Sequence, residues 1–331
     1  MSEKKAAKVS EKKVKIPKMD PGCDIAVIDI VEREIDPGVL KILLKDMTAG
    51  RNILWACDDY TQYGGSYRSG SEITYKSITL GRKTTIIQPR ILKDKCYQKE
   101  RTKSHAEVFT PSWICNDMNN LCDEAWFGRK NVFNVVNKDR TWTATTEPIF
   151  ESGSDKWREY VKSKRIEITC GEAPYLVSPY DTTTGQPIPL EQRIGMLDRK
   201  FRVINENLND EKLWWIWVVK AFKSIYGYEY QGDNLLLARE NLLYTFIDNY
   251  KMKFGKDPDV KKQKAIAKII VWNIWQMDGL KDSTPTGTID NPDRNLFEQD
   301  ETDTVRPVLC KIKDWDKNIV INFEDLKKDQ Q

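Results

Sequence analysis

The run Arg165-Ile166-Glu167-Ile168-Thr169-Cys170-Gly171-Glu172-Ala173-Pro174-Tyr175-Leu176 decides how this chain is read. Ile166 and Ile168 alternate with polar residues, the pattern of a strand that buries one face, so these two side chains are expected to point inward. The strand runs into a turn at Gly171, a residue that accepts positive φ and lets a ligand come close to the backbone. Open α/β sheets bind nucleotides where a strand ends in such a turn. An ordinary sheet exit has the same pattern, so the stretches around it must discriminate.

Three other stretches do so by their order. Upstream, Thr110-Pro111 is a helix start signal, with threonine as N-cap and proline pre-set for the first turn. Ile114, Met118, Leu121, Cys122 and Ala125 follow at three-to-four spacing, which predicts a helix over roughly 111–126 with that face on a core. Downstream, Ile225 to Tyr230 reads as a strand with Glu229 near its carboxyl end. A carboxylate there accepts hydrogen bonds from both ribose hydroxyls in nucleotide-binding α/β folds. Ala267 to Trp275 reads as a third strand, and Asp278 lies just past it. Gly171 and Glu229 stand about three times farther apart than the roughly 20 residues of a compact dinucleotide unit. A polar, turn-rich insertion over Asp181 to Asn209 accounts for the excess.

The runs at 107–116, 168–185, 226–243 and 272–281 (EVFTPSWICN, ITCGEAPYLVSPYDTTTG, YGYEYQGDNLLLARENLL, WNIWQMDGLK) resemble adenine-N6 DNA methyltransferases of restriction-modification systems. More closely, they are similar to proteins described as restriction endonuclease subunit M, over roughly Asn52 to Leu326. The resemblance implies an α/β, Rossmann-like sheet that binds S-adenosyl-L-methionine through Thr110, Pro111, Cys170, Gly171, Glu172, Ala173, Glu229 and Asp278. In the family the Thr-Pro pair touches the methionine end of the cofactor, and the aspartate receives the adenine amino group. The implied partners are double-stranded DNA and a restriction endonuclease or a second modification subunit. Two departures stand out. The family's commoner turn is Cys-Gly-x-Gly followed by a helix, whereas here Ala173 replaces the second glycine and Pro179 blocks a helix continuing from the turn. The Asp/Asn/Ser-Pro-Pro-aromatic tetrad that holds a flipped adenine is missing, since none of the 14 prolines adjoins another. Ser178-Pro179-Tyr180 and Asn291-Pro292 keep only fragments, so no catalytic residue is assigned. Two functions stay open: an adenine-N6 methyltransferase whose base-holding residues are atypical or come from a partner chain, and a non-catalytic subunit that keeps the fold to hold DNA or an endonuclease.

Composition narrows the rest. With 31% charged and 40% apolar residues, the chain reads as a soluble protein. Its longest apolar run, Leu213 to Val219, is far shorter than the roughly 20 residues of a membrane span. Met1 to Lys18 holds seven Lys and two Glu, a net +5 against +3 for the whole chain, so the remainder carries −2 and any DNA contact must be local. That tail, taken as 1–19, suits either a solubilising extension or a DNA-binding arm. The seven cysteines are scattered without a Cys-x-x-Cys pair, which indicates neither a zinc site nor a disulfide framework and favours the cytoplasm. His105 is the sole histidine, so Ser-His or Cys-His nucleophile chemistry has no base. A nuclease would need an Asp…Glu-x-Lys metal constellation, which Glu211-Lys212 only approaches. Residues 20–101 are expected to form a β-rich module from the runs Ile25–Ile28, Asn52–Ala56, Glu72–Tyr75 and Thr84–Ile87, with a short helix over Val39–Met47. Residues 102–331 are expected to form the cofactor-binding domain, with helices near Trp157–Ser163, Asp210–Ser224 and Leu235–Lys251 and two closing strands within Val308–Phe323.

Overall fold

The computed structural model describes residues 35–79, 86–93, 98–99, 101–103, 107–285 and 308–328. The tail, the Ile25–Ile28 run, part of Thr84–Ile87 and Asn291-Pro292 lie outside them. In chain order the elements are α1 (Pro37–Leu43), α2 (Tyr75–Thr79), α3 (Ser112–Phe127), hairpin β1–β2 (Asn134–Val136 and Trp142–Ala144), α4 (Lys156–Lys162) and β3 (Arg165–Glu167). There follow α5 (Met196–Asn207), α6 (Glu211–Phe222), β4 (Ile225–Glu229), α7 (Gly232–Phe254), α8 (Val260–Asn273), β5 (Ile274–Gln276), hairpin β6–β7 (Lys311–Asp314 and Ile319–Asn322) and α9 (Asp325–Lys328).

The centre is a parallel sheet of order β3-β4-β5, in which Glu167 lies beside Gly227 and Glu229 beside Gln276. Helical crossovers join its strands, so the chain is mixed α/β. Local chemistry sets the helix ends. Asp210 and Asp259 cap α6 and α8 by accepting from the Leu213 and Lys262 amides at 2.9 and 2.8 Å, and Gly128 and Gly255 close α3 and α7 at φ near +68 and +67.

Several expectations are corrected. Ala267 to Trp275 is not a strand: α8 runs to Asn273 and only Ile274–Gln276 is extended. A continuous apolar run does not separate a buried helix from a buried strand, and here the Asp259 cap starts a helix. The supposed insertion over 181–209 contains α5, whose Leu197, Phe201 and Ile204 recur at helical spacing and are fully buried, with Arg199 and Lys200 turned inward beside them. Lys200 donates to the Val161 carbonyl at 3.0 Å, and Arg199 to Asn116 at 2.9 Å. As Pro179 requires, no helix continues directly from the Gly171 turn.

Residues 35–79 are not β-rich; they form α1, α2, short 3₁₀ turns and the isolated bridges Lys45–Asn52 and Leu54–Glu72. The extended stretch at Leu54 pairs with Ser71–Ile73 on one side and is held by a side chain on the other. The Gln276 amide accepts from the Leu54 N–H at 2.8 Å and donates to its carbonyl at 2.9 Å. One apolar core runs from Val39 and Trp55 through Phe201 and Leu242 to Ile274, so no boundary falls at residue 101 in the packing.

Two elements are turned inside out relative to their sequence patterns. On β3, Ile166 is 43% exposed and Ile168, in the turn just past the strand, is 64% exposed, whereas Glu167 is buried at 7%. On α3, Met118 and Leu121 are 49% and 59% exposed, whereas Asn116, Asn119 and Asp123 are buried. Hydrogen bonds make the polar faces the better fit inside: the Asn119 amide donates to the carbonyls of Tyr175 and Ile194, both at 3.0 Å.

Candidate functional site

The turn after β3 is built by alternating left-handed residues, with φ of +49 at Thr169, +54 at Gly171 and +64 at Ala173. Cys170 N donates to Tyr228 O at 2.8 Å, extending the β3–β4 ladder, and Ala173 N donates to Cys170 O at 2.7 Å. The strand's own acid closes the loop. Glu167 accepts from the amides of Tyr175 and Leu176 at 3.3 and 3.1 Å, while burial pushes its carboxyl up to about 8.

Glu229, at the carboxyl end of β4, accepts from Gly171 N and Gln231 N, both at 2.9 Å. Two acceptor positions of roughly four are thereby used, leaving the others for a ligand. Burial raises its pKa as well. A methyl group added at Gly171 would meet the Phe109 ring at 3.7 Å, ordinary van der Waals contact, so the ring stands about one methyl's width from the turn's backbone. The guanidinium of Arg90 lies over the same ring, 5.1 Å from its centroid.

Asp278 leaves the same sheet edge, because the preceding residue, Met277, donates its amide to Glu229 O at 3.1 Å. Its carboxylate accepts from Leu280 N at 3.0 Å and meets Lys281 at 3.4 Å. Gly279 passes so close to Tyr228 that a Cβ there would sit 2.9 Å from the ring. Gly171, Glu229 and Asp278 therefore gather at one carboxyl edge.

The remaining predicted residues shape this edge from within. Cys170 and Ala173 are fully packed, and burial raises the Cys170 thiol, which stays protonated. Glu172 is committed to Tyr180 Oη at 2.6 Å and Arg90 N at 2.8 Å, and burial raises its pKa. Thr110 is not the helix cap: Pro111 occupies that position, and Ser112 N donates to Asp181 at 2.8 Å. Against partial desolvation, the Thr183 hydroxyl and the Ser112 amide draw the Asp181 carboxyl down to about 2. Thr110-Pro111 reaches the turn through its neighbour Phe109. The Ser178-Pro179-Tyr180 fragment is interior structure, since Ser178 donates to Asp198 at 3.0 Å and Tyr180 to Glu172.

A buried ionic cluster beside the site was not anticipated. Asp233, in the first turn of α7, accepts from Tyr60 at 2.7 Å, Lys93 at 3.1 Å and Arg101 at 3.2 Å, and Arg101 also pairs with Glu107 and Asp59. Burial opposes its charge, yet Lys93 and Arg101 hold the Asp233 carboxyl far below the ordinary range. The available signal was the basic stretch Arg90 to Arg101 together with an acid at a helix start. Among the described residues no group of His, Cys, Asp and Glu is arranged to hold a metal. Cavities of about 390 and 660 Å³ lie elsewhere, around Trp113–Arg140 and Arg199–Lys253, and are not lined by Gly171, Glu229 or Asp278. No helix among the described residues is long and apolar enough to cross a membrane. The chain matches no known family model, curated protein or solved structure.

Proposed function

We propose that this chain is the S-adenosyl-L-methionine-binding half of a DNA adenine-N6 methyltransferase from a restriction-modification system, and that a partner polypeptide supplies the residues that hold the target base. One observation carries the reading: the Gly171 amide bonds the Glu229 carboxylate across the ends of two adjacent parallel strands, with Asp278 two residues beyond the third. The order β3-β4-β5 is half of a doubly wound, Rossmann-like sheet, whose ligands sit outside the carboxyl ends.

Two groups at this edge would serve the cofactor: Glu229 keeps acceptor positions for the ribose hydroxyls, and Asp278 keeps acceptor capacity for the adenine amino group. Phe109, beside Thr110-Pro111, stands only about a methyl's width over Gly171, so its ring must swing aside to admit the methionine end. When bound, the cofactor supplies an activated methyl group for in-line transfer to a nitrogen. This chain's part is orientation and exclusion of water. Two of its buried acids, Glu167 and Glu229, fix the turn by accepting from the Tyr175, Leu176, Gly171 and Gln231 amides.

Calorimetric titration of the isolated chain with S-adenosyl-L-methionine tests the cofactor reading. Binding is expected, and Glu229→Gln should weaken it at least about tenfold, the usual worth of a hydrogen bond to a charged acceptor. Transfer of labelled methyl to unmodified DNA should require the partner; transfer by the chain alone would remove the split. The second reading, a non-catalytic subunit holding DNA or an endonuclease, is favoured by the inward burial of Ser178 and Tyr180 and predicts no cofactor binding at all.

A further inference from the structure

The cavity of about 660 Å³ lies between the β1–β2 hairpin, the start of α5 and the C-terminal half of α7. Its volume falls within the roughly 300–1,000 Å³ of small-molecule sites. Three side chains in its wall each carry a polar atom that meets no partner among the described residues: Arg193 Nη1, Asp198 Oδ1 and Arg199 Nε. The Arg193 and Arg199 side chains are 7% and 2% exposed and Asp198 is 6% exposed, and interiors rarely leave such atoms without a bond. The omissions are selective, because the rest of each side chain is in use. Arg193 Nη2 donates to Asp248 at 2.7 Å, and Arg199 donates to Asn116 and Asn120 at 2.9 and 2.8 Å besides pairing with Asp123. Asp198 accepts from Ser178 N, Ser178 Oγ and Gly195 N at 2.9, 3.0 and 3.0 Å, and all three bonds reach Oδ2. Capping the first turn of α5 therefore accounts for one carboxylate oxygen and leaves the other idle.

The idle atoms are two donors and one acceptor. Burial raises the Asp198 pKa and the charge of Arg193 opposes that rise, so the two stand near each other, yet Arg193 is paired with Asp248 and not with Asp198. Both guanidiniums already have a carboxylate, so the wall does not call for an anion, which would also meet Asp198 as a like charge. An ammonium would meet the guanidiniums in the same way. What satisfies all three atoms is an uncharged group that sets a carbonyl beside an N–H, the carbonyl accepting from the guanidiniums and the N–H donating to the carboxylate. Trp142 adds a flat apolar wall, its own indole N–H being spent on Gln192 O at 2.8 Å, and Ala144, Leu190 and Met252 extend that cover.

We propose that this cavity binds a flat, uncharged molecule with a carbonyl beside an N–H, a nucleobase or an aromatic carboxamide, whose carbonyl faces the Arg193 and Arg199 guanidiniums and whose N–H faces Asp198 Oδ1. The three atoms are screened from solvent, so side-chain rotation brings them to the ligand, a common extent of change on binding. The inference is independent of the cofactor reading, since Gly171, Glu229 and Asp278 do not line this cavity.

The test titrates the full chain with uracil and with nicotinamide by calorimetry, in the absence of S-adenosyl-L-methionine. Each titration is repeated with the form methylated at every N–H of the imide or amide, which keeps the ring and the carbonyl but can no longer donate. One-to-one binding of at least one parent compound is expected, with its methylated form at least tenfold weaker, and the parent that binds tells a nucleobase site from a carboxamide site. Met252→Trp, at an exposed position on the cavity's rim, should weaken binding at least tenfold, whereas Met118→Trp, exposed on α3, should not. Circular dichroism melts of both variants should match the parent, which separates a filled cavity from lost folding. Failure of both compounds to bind, methylated forms that bind as tightly, indifference to Met252→Trp, or a preference for benzoate or glycine over either compound would each overturn the proposal. A null result with S-adenosyl-L-methionine leaves this outcome untouched, and the reverse holds as well.

Discussion

Glu167→Gln isolates the buried acid on which the site's turn is closed. The folded chain holds this carboxyl's proton up to about pH 8, against an ordinary value of 4.5. Between those values the folded state binds more protons than the unfolded chain, so stability falls as pH rises through that window and is lost in full above it. At about 1.4 kcal/mol for each tenfold change in proton affinity, the whole loss is about 5 kcal/mol. Glutamine keeps the shape and one acceptor, which can serve Leu176 N at 3.1 Å, but turns an NH₂ toward Tyr175 N, whose bond is the longer at 3.3 Å. That costs about 1 kcal/mol at any pH. Urea unfolding followed by tryptophan fluorescence from pH 5 to 9 should therefore show the variant slightly weaker in acid and stronger by several kcal/mol in alkali, the curves crossing between. Parallel curves for the two proteins would refute the buried-acid argument, because the other raised acids, Asp46, Glu172, Asp198 and Glu229, are common to both.

The remaining predictions are briefer. Asp233→Asn removes the carboxylate that pairs with buried Lys93 and one of the three that pair with Arg101, and should cost about 3–5 kcal/mol in urea unfolding at neutral pH. Because the carboxyl's folded pKa is depressed, its stabilisation is complete above about pH 4, where the unfolded group ionises, and fades only in stronger acid, so the deficit should shrink there. Gly171→Ala meets no clash, with the new methyl 3.7 Å from Phe109, so it should cost only the left-handed penalty of about 1–2 kcal/mol, seen as a lowered melting temperature. Ala173→Gly relieves a similar penalty but loosens the unfolded chain by about 0.5–1 kcal/mol and deletes a buried methyl worth about 0.8 kcal/mol. Its unfolding free energy should stay within about 1 kcal/mol of the parent.

What was legible depended on sequence distance. The strand entering the Gly171 turn, the acid ending β4 and Asp278 past a third strand are local patterns, and the structure sets all three at one sheet edge. The contacts that escaped reading join residues far apart in the chain. Asp233 finds Lys93 and Arg101 at separations of 140 and 132 residues, and Asp181 caps a helix that starts 69 residues earlier. The end of α8 was missed for a different reason: Ile269, Ile270 and Val271 are consecutive, β-branched and all buried, and so short an apolar run reads equally as strand or helix.

The inverted elements are of another kind, since their periods were read correctly and only the inward face was not. Alternation says which side chains share a face; which face turns inward is settled by what lies against it. For β3 the inner face meets the Tyr175–Leu176 amides, so a carboxyl that can accept both outcompetes isoleucine there. For α3 the inner face meets the Tyr175 and Ile194 carbonyls and the Arg199 guanidinium, which call for Asn116, Asn119 and Asp123. Ile166, Met118, Leu121 and Ile168 are then left 43–64% exposed, although full burial of each side chain is worth about 1.5–3 kcal/mol. Leaving the buried amides of Tyr175 and Leu176 or the carbonyls of Tyr175 and Ile194 without partners would cost about 1–3 kcal/mol for each group, so the polar faces win the interior and the aliphatic ones stay outside.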